Sequence, residues 1–314
     1  MAAGQSVSGH AVLTISGIAG RGDMTVARQL RFRDKLFAPG SQLVMAIVNR
    51  TTDSFYDSGA TWTPDRALAR VDEVIGQGAD ILDIGGVKAG PGETVDEDEE
   101  IRRTIDFIGA VRERHPDVVI SIDTWRSGVA IRALEAGADL INDAWGGHDH
   151  DLVDVAAAYD AAIVCTHTGG LRPRTGPVRA EYDDVVADAI KFSTGLAERA
   201  RSAGVSEDSI IIDPAHDFGK NTWHSLEITR RLNELTETGW PVLVSVSNKD
   251  FLGETLDLPV GERVPATLAA TAICAWHGAR IHRVHQVAEI RQVIDLVAAI
   301  RGDRDPIRAV RGLV

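Results

Sequence analysis

Eight short apolar runs recur along the chain, at Leu43–Val48, Ile81–Ile84, Val118–Ile122, Leu140–Ile141, Ala162–Cys165, Ile210–Ile212, Val242–Val246 and Arg280–Val284. Between them lie amphipathic stretches with helical spacing, among them Pro64–Gln77, Asp96–Arg114, Arg126–Ala136, Tyr182–Ala203, His224–Thr236, Gly261–His277 and Val287–Ile300. Strands separated by helices pair in parallel, because a parallel connection needs a crossover of a dozen or more residues. Eight such units predict an α/β fold of the (β/α)8 TIM-barrel type. A doubly wound open sheet gives the same alternation, but its first strand is usually followed by a glycine-rich fingerprint. This chain has Asn49-Arg-Thr-Thr-Asp there. Polar residues stand at or just past nearly every strand end: Asn49, Asp83, Asp123, Asn142, His167, Asp213, Lys249 and the pair Arg283/His285. Helix caps and turn formers explain one or two of these. As a set they fit a barrel, whose strand ends converge on one face where chemistry is done.

Residues 1–40 read differently, as a leader followed by a hairpin that closes the barrel bottom, and residues 41–314 read as the barrel. A formal charge of −13 disfavours nucleic acid and anionic membrane, which attract excess Lys and Arg, and favours a small-molecule partner. Any anion bound must then be held by a local cluster against the overall field. Cys165 and Cys274 make no disulfide framework and no metal-ligand spacing, so both read as small apolar residues in a reducing compartment. Ala11–Gly20 lacks the basic flank of a signal peptide, and no run of about 18 apolar residues is present to span a membrane. The expectation is a soluble cytoplasmic protein.

From Leu43 onward the chain resembles the dihydropteroate synthase family. The resemblance is carried by Met45-Ala-Ile-Val-Asn-Arg-Thr-Thr-Asp-Ser-Phe, Asp83-Ile-Gly-Gly, Ser121-Ile-Asp-Thr, Ile141-Asn-Asp, Asp213-Pro with Phe218-Gly-Lys, Ser247-Asn-Lys and Arg283-Val-His, in the family's order. It implies a pterin-binding barrel that joins 6-hydroxymethyl-dihydropterin diphosphate to p-aminobenzoate and expels pyrophosphate with Mg²⁺. It further implies a pterin pocket of Asp123, Asn142, Asp213 and Lys249, with Asp123, Asp213 and Lys249 catalytic. Their chemistry agrees: a carboxylate accepts both donors of the pterin's guanidine-like edge, and preorganised negative groups favour the cationic methylene left as diphosphate departs. Asn49, Arg283 and His285 correspond to the diphosphate site. The Mg²⁺ is expected to be held through the diphosphate and water, with Asn49 its protein contact.

The second-substrate site departs from the family. After the glycines of the second strand the usual Glu-Ser-Thr-Arg-Pro-Gly is replaced by Val87-Lys88-Ala89-Gly90-Pro91-Gly92. Thr52 takes the place of the usual Pro, Arg50 that of a small apolar residue, and Ser-Arg-Lys becomes Ser247-Asn248-Lys249 followed by Asp250. Losing a cation and gaining Asp250 turns attraction for a carboxylate into repulsion, which Lys88 or Arg50 could partly restore. Ala215, His216 and Asp217 predict a bulkier, more polar rim, with Phe218 packing on an aromatic ring and His216 a candidate for chemistry. The pattern resembles the divergent second homologue of actinobacteria, a subgroup regarded as lacking ordinary synthase activity. Three readings stand: a pterin-diphosphate binder with weak or absent synthase activity, a working synthase for p-aminobenzoate or another amine, and a folate-binding methyltransferase, which Arg283 and His285 disfavour. The apolar C-terminal helices predict a homodimer.

Overall fold

A computed structural model describes residues 28–51, 64–88, 90, 92, 94–175 and 181–311. A small antiparallel hairpin, β1 (Leu30–Phe32) and β2 (Lys35–Phe37), precedes the parallel strands β3 (Leu43–Asn49), β4 (Ile81–Gly85), β5 (Val119–Asp123), β6 (Leu140–Asp143), β7 (Ala162–Thr166), β8 (Ile210–Asp213), β9 (Leu243–Val244) and β10 (Ile281–Val284). Their order is β8-β7-β6-β5-β4-β3-β10-β9, and a single parallel bridge from Ile212 to Val242 brings the two ends together. This is the eight-stranded barrel that the alternation predicts. The helices between the strands are α1 (Pro64–Gly76), α2 (Glu97–Arg114), α3 (Ser127–Glu135), α4 (Leu152–Ala158), α5 (Val185–Ala203), α6 (Thr222–Arg230), α7 (Leu232–Thr236), α8 (Asp250–Leu256), α9 (Val264–Trp276) and α10 (Val287–Arg301).

The helix starts follow from local chemistry. Asp96 caps α2 by accepting from the Glu99 amide, and four acidic residues in its first turn complement the positive end of the helix dipole. Asp184 caps α5 in the same way. Two expectations need correction, and two short helices went without one. The stretch His224–Thr236 is two helices, broken at Arg231 (φ −106°), whose guanidinium reaches the α5 cap Asp184. α4 and α8 each have seven residues, too few for a periodic signal. The run Val242–Val246 yields a strand of two residues, after which the chain turns through Asn248 at φ +57° into α8.

Side chains alternate in and out along each strand. Val44, Ala46, Leu82, Ile84, Ile120, Ile122, Ile141 and Ile163 point outward into the shell packed against the helices. Leu43, Met45, Ile81, Val119, Leu140, Ala162, Val164, Ile211, Leu243 and Ile281 fill the lower barrel, joined from below by Leu30 and Phe32 of the hairpin. Arg280 holds the hairpin in place by donating to the carbonyls of Arg28, Ala38 and Ser41, and Lys35 pairs with the buried Asp139 at 2.9 Å. The apolar plug confines polar chemistry to the upper half of the barrel. Cys165 and Cys274 are buried and unbonded. Among the described residues no helix is long and apolar enough to cross a membrane.

Candidate active site

The same alternation that fills the barrel floor with Met45, Ile81, Val119 and Ile281 brings Asn49, Asp83, Asp123 and Arg283 inward, two or four residues further along their strands. Register does the rest: Gly85 is paired with Asp123 and with Asn49, and Asp123 with Asn142, so these positions share one tier. At the centre Arg283 bridges two acids, its Nε to Asp83 Oδ2 at 2.6 Å and its Nη2 to Asp123 Oδ2 at 2.8 Å. Asp83 is fully buried and also accepts from Ser121 Oγ at 2.7 Å and from the Asn142 amide nitrogen at 3.2 and 3.3 Å. Because a carboxylate only accepts, Asp83 sets the Asn142 amide with its nitrogen down and its oxygen free to face a ligand. Burial raises the Asp123 carboxyl above its ordinary range; Arg283 opposes the shift and Asp83 adds to it.

Asp213 ends β8 on the other side of the mouth. One of its oxygens accepts from the Ala215 amide at 2.7 Å, and burial pushes its carboxyl up to about 6 against the pull of Lys249 and Lys220. The loop that follows turns through Ala215, Asp217 and Gly219, all at positive φ (+49°, +69°, +61°). Its path presents Phe218, whose ring meets Trp145 edge-on at 5.3 Å and carries the Lys249 ammonium 4.4 Å above its centre. Burial lowers the Lys249 ammonium below the ordinary lysine range. The expected polar rim at His216 is corrected: the ring is fully buried, stacks on Phe251 of α8 and contacts Thr229 Oγ1 at 3.1 Å. Burial holds it down to about 3, so it is neutral and takes no proton in the mouth. Asp217 is likewise occupied, accepting from Ser225 Oγ and the Phe251 amide.

Among the described residues, the altered second-substrate positions are engaged by other parts of the fold. Asn248 lies buried against α9, its backbone amide donating to Thr267 Oγ1 at 3.1 Å. Asp250 pairs with Arg263 at 2.8 Å, so the repulsion expected from it is largely cancelled. Arg50 is buried against α2, its guanidinium 4.7 Å over the Phe107 ring and its Nε donating to the Arg103 carbonyl at 3.4 Å. Lys88 is half-buried beyond β4, and Gly90 accepts a bond at its carbonyl from Arg174 at 3.2 Å. Thr52 and Ala89 lie outside the described residues. Of the residues expected to meet a diphosphate, Asn49 and His285 are both half-buried at adjacent strand ends, and the His285 amide donates to Ser247 Oγ at 3.3 Å. A Cβ added at Gly85 would stand 3.9 Å from Asn49 Oδ1 and 3.8 Å from Asp123 Oδ2, so both oxygens border one small space. Among the described residues no group of three His, Cys, Asp or Glu side chains could hold a metal alone.

Sequence reasoning left Asp83 and Lys220 without a role. Asp83 had a usable signal, since it falls two residues after Ile81 on the inward face. Lys220 had none beyond its place after Phe218-Gly, because its partners come from folding.

Residues 45–285 match the family described as pterin binding enzyme. A protein of Mycobacterium leprae named inactive dihydropteroate synthase 2 is 54% identical over 280 residues, covering 88% of this chain and 96% of that protein. The dihydropteroate synthase of Clostridium beijerinckii is 38% identical over 260 residues, 81% of this chain and 93% of that one. The solved structure of Yersinia pestis dihydropteroate synthase with a sulfonamide drug complex aligns with a TM-score of 0.83 at 32% identity, over 88% of this chain and all of that one (100%).

Proposed function

The chain belongs to the pterin binding enzyme family, and on that footing we propose that it holds a pterin diphosphate in the barrel mouth while ordinary dihydropteroate synthase activity is weak or absent. The observation that carries this is the contrast between the two halves of the mouth. Asp123, Asn142, Asp213 and Lys249 converge above a floor preset by Asp83 and Arg283, whereas Arg50, Asn248 and Asp250 are each engaged elsewhere. Asp213 suits the pterin's paired donors, the Asn142 oxygen another donor, and Lys249 a ring acceptor. Mycobacterial relatives named inactive dihydropteroate synthase 2 support the same reading.

Diphosphate would meet Asn49, His285 and the guanidinium edge at Arg283 Nη1. Asp83 and Asp123 together offset the charge of Arg283, so a diphosphate is best received with its own cation. Asn49 Oδ1 beside the paired Asp123 fits a Mg²⁺ carried mainly by ligand oxygens and water. When bound, that ion would neutralise charge building on the leaving diphosphate.

Calorimetric titration with 6-hydroxymethyl-dihydropterin diphosphate and Mg²⁺, followed by p-aminobenzoate, tests the proposal while released pyrophosphate is assayed. Saturable binding with no acceleration of pyrophosphate release by p-aminobenzoate is expected. Release that accelerates with p-aminobenzoate identifies a working synthase, and no binding removes the pterin reading.

Ile273 and Trp276 of α9 and Leu296 and Ile300 of α10, two helices that pack together, are large apolar residues left exposed, which supports assembly as a homodimer. Sedimentation of the full chain should give twice the 33.7 kDa chain mass. Sedimentation at one chain mass that persists at high concentration would count against the dimer.

A further inference from the structure

The loops after β7 and β8 close around one buried ammonium. Lys220 Nζ donates to the carbonyl of His167 at 2.9 Å and to that of Phe218 at 2.9 Å, and the residue is 8% exposed. The loops touch closely: a Cβ on Gly219 would lie 2.3 Å from the Thr168 carbonyl oxygen, and the Tyr182 hydroxyl donates to the Gly219 carbonyl at 2.7 Å. Two non-glycine residues of the β8 loop, Ala215 and Asp217, sit at positive φ, each at a cost of about 1 kcal/mol or more. Local preference therefore does not hold the path, and long-range contacts must. Lys220 supplies one of them, to the His167 carbonyl 53 residues away, and the same ammonium ties that anchor to the carbonyl of Phe218, whose ring carries Lys249.

We propose that Lys220 is a positioning residue for the pterin pocket, and that its protonated state, by clamping the Phe218 carbonyl, sets the Phe218 ring, the Lys249 ammonium above it and the approach to Asp213. The inference rests on the pterin-binding reading. The ammonium is faced by Asp213 and Asp217 from β8 and its loop, Asp188 from α5 and Lys249 beyond β9. His167 at the end of β7 and His224 on α6 feel its charge in turn. Burial pushes Lys220 down to about 7, while His167 and His216, held down to about 4 and about 3, stay neutral across the same range. The sign is then fixed. Lys220 is charged below about 7 and neutral above it, and a neutral amine donates to carbonyls about half as strongly as an ammonium. Affinity should fall as pH rises through that point. On the acid side Asp213, raised to about 6, sets the opposite limb by losing its acceptor as pH falls.

The test is the Kd of pterin diphosphate with Mg²⁺ between about pH 6 and about pH 9 for the wild type, Lys220→Arg and Lys220→Met. The wild type should lose affinity on the order of tenfold at the alkaline end. Lys220→Arg, whose guanidinium stays charged and can reach both carbonyls, should keep its affinity there, and Lys220→Met should bind weakly at every pH. An unchanged alkaline fall in Lys220→Arg would assign it to Lys249 and overturn the proposal, as would wild-type affinity in Lys220→Met. A second readout needs no ligand and no variant that might misfold: the ¹³Cε resonance of Lys220 and the tryptophan emission of the wild type should titrate together near pH 7. If the wild type binds no pterin, the functional reading fails on its own. Lack of the shared titration in the ligand-free protein sinks the clamp independently.

Discussion

Replacing Arg283 by methionine should be the most damaging single change in the barrel interior. It strands Asp83, fully buried, beside Asp123 with no cation between them. Removing one partner of a buried ion pair costs about 3–5 kcal/mol, which for a chain of this size lowers Tm by on the order of 10 °C. The pH dependence identifies the cause. Carboxyls raised in the folded state bind more protons than in the unfolded chain, so stability falls as pH rises and recovers as it drops. The deficit of Arg283→Met should therefore shrink between pH 8 and pH 5, values chosen to bracket the raised carboxyl range, when followed by differential scanning calorimetry. A deficit equal at both would mean that lost packing, not stranded charge, is responsible.

Asp213→Asn should cost about 1–3 kcal/mol of pterin-diphosphate binding, a rise in Kd of roughly fivefold to 150-fold. The amide keeps the shape and one oxygen for the Ala215 N–H, but sets a donor against the pterin's donors. In the wild type, affinity should fall as pH drops through about 6, because a protonated Asp213 no longer accepts twice. The variant's acid limb should flatten, leaving any remnant to Asp123, which burial also raises. Titration calorimetry across the acid range reads both effects. An unchanged Kd would move the pterin elsewhere in the mouth.

Much of this architecture is readable from period-two spacing. The pattern that makes Met45 and Ile81 core residues also aims Asn49 and Asp83 inward, so floor and polar tier come from one signal. What spacing cannot carry is partnership. Arg283 meets Asp83 across 200 residues of sequence and Asp123 across 160, partners that its expected place in a diphosphate site did not suggest. Asp250 reads as a repulsive charge until folding supplies Arg263. His216 reads as a rim residue because Asp-Pro-Ala-His-Asp is polar, yet positive φ at Ala215 and Asp217 turns its ring inward onto Phe251. The seven-residue helices α4 and α8 span barely two turns, too short for an apolar stripe to declare itself.

Among the described residues, β8 and β9 pair through the one bridge from Ile212 to Val242, where other neighbours share ladders. Asp213 follows Ile212 on one lip of that seam, and Lys249 stands beyond the other. A pterin gripped by both would work as the missing rung, stitching the cylinder shut with the contacts that recognise it. On the proposed reading, binding would then reinforce closure of the wall, and a tightly binding compound would also act as a splint.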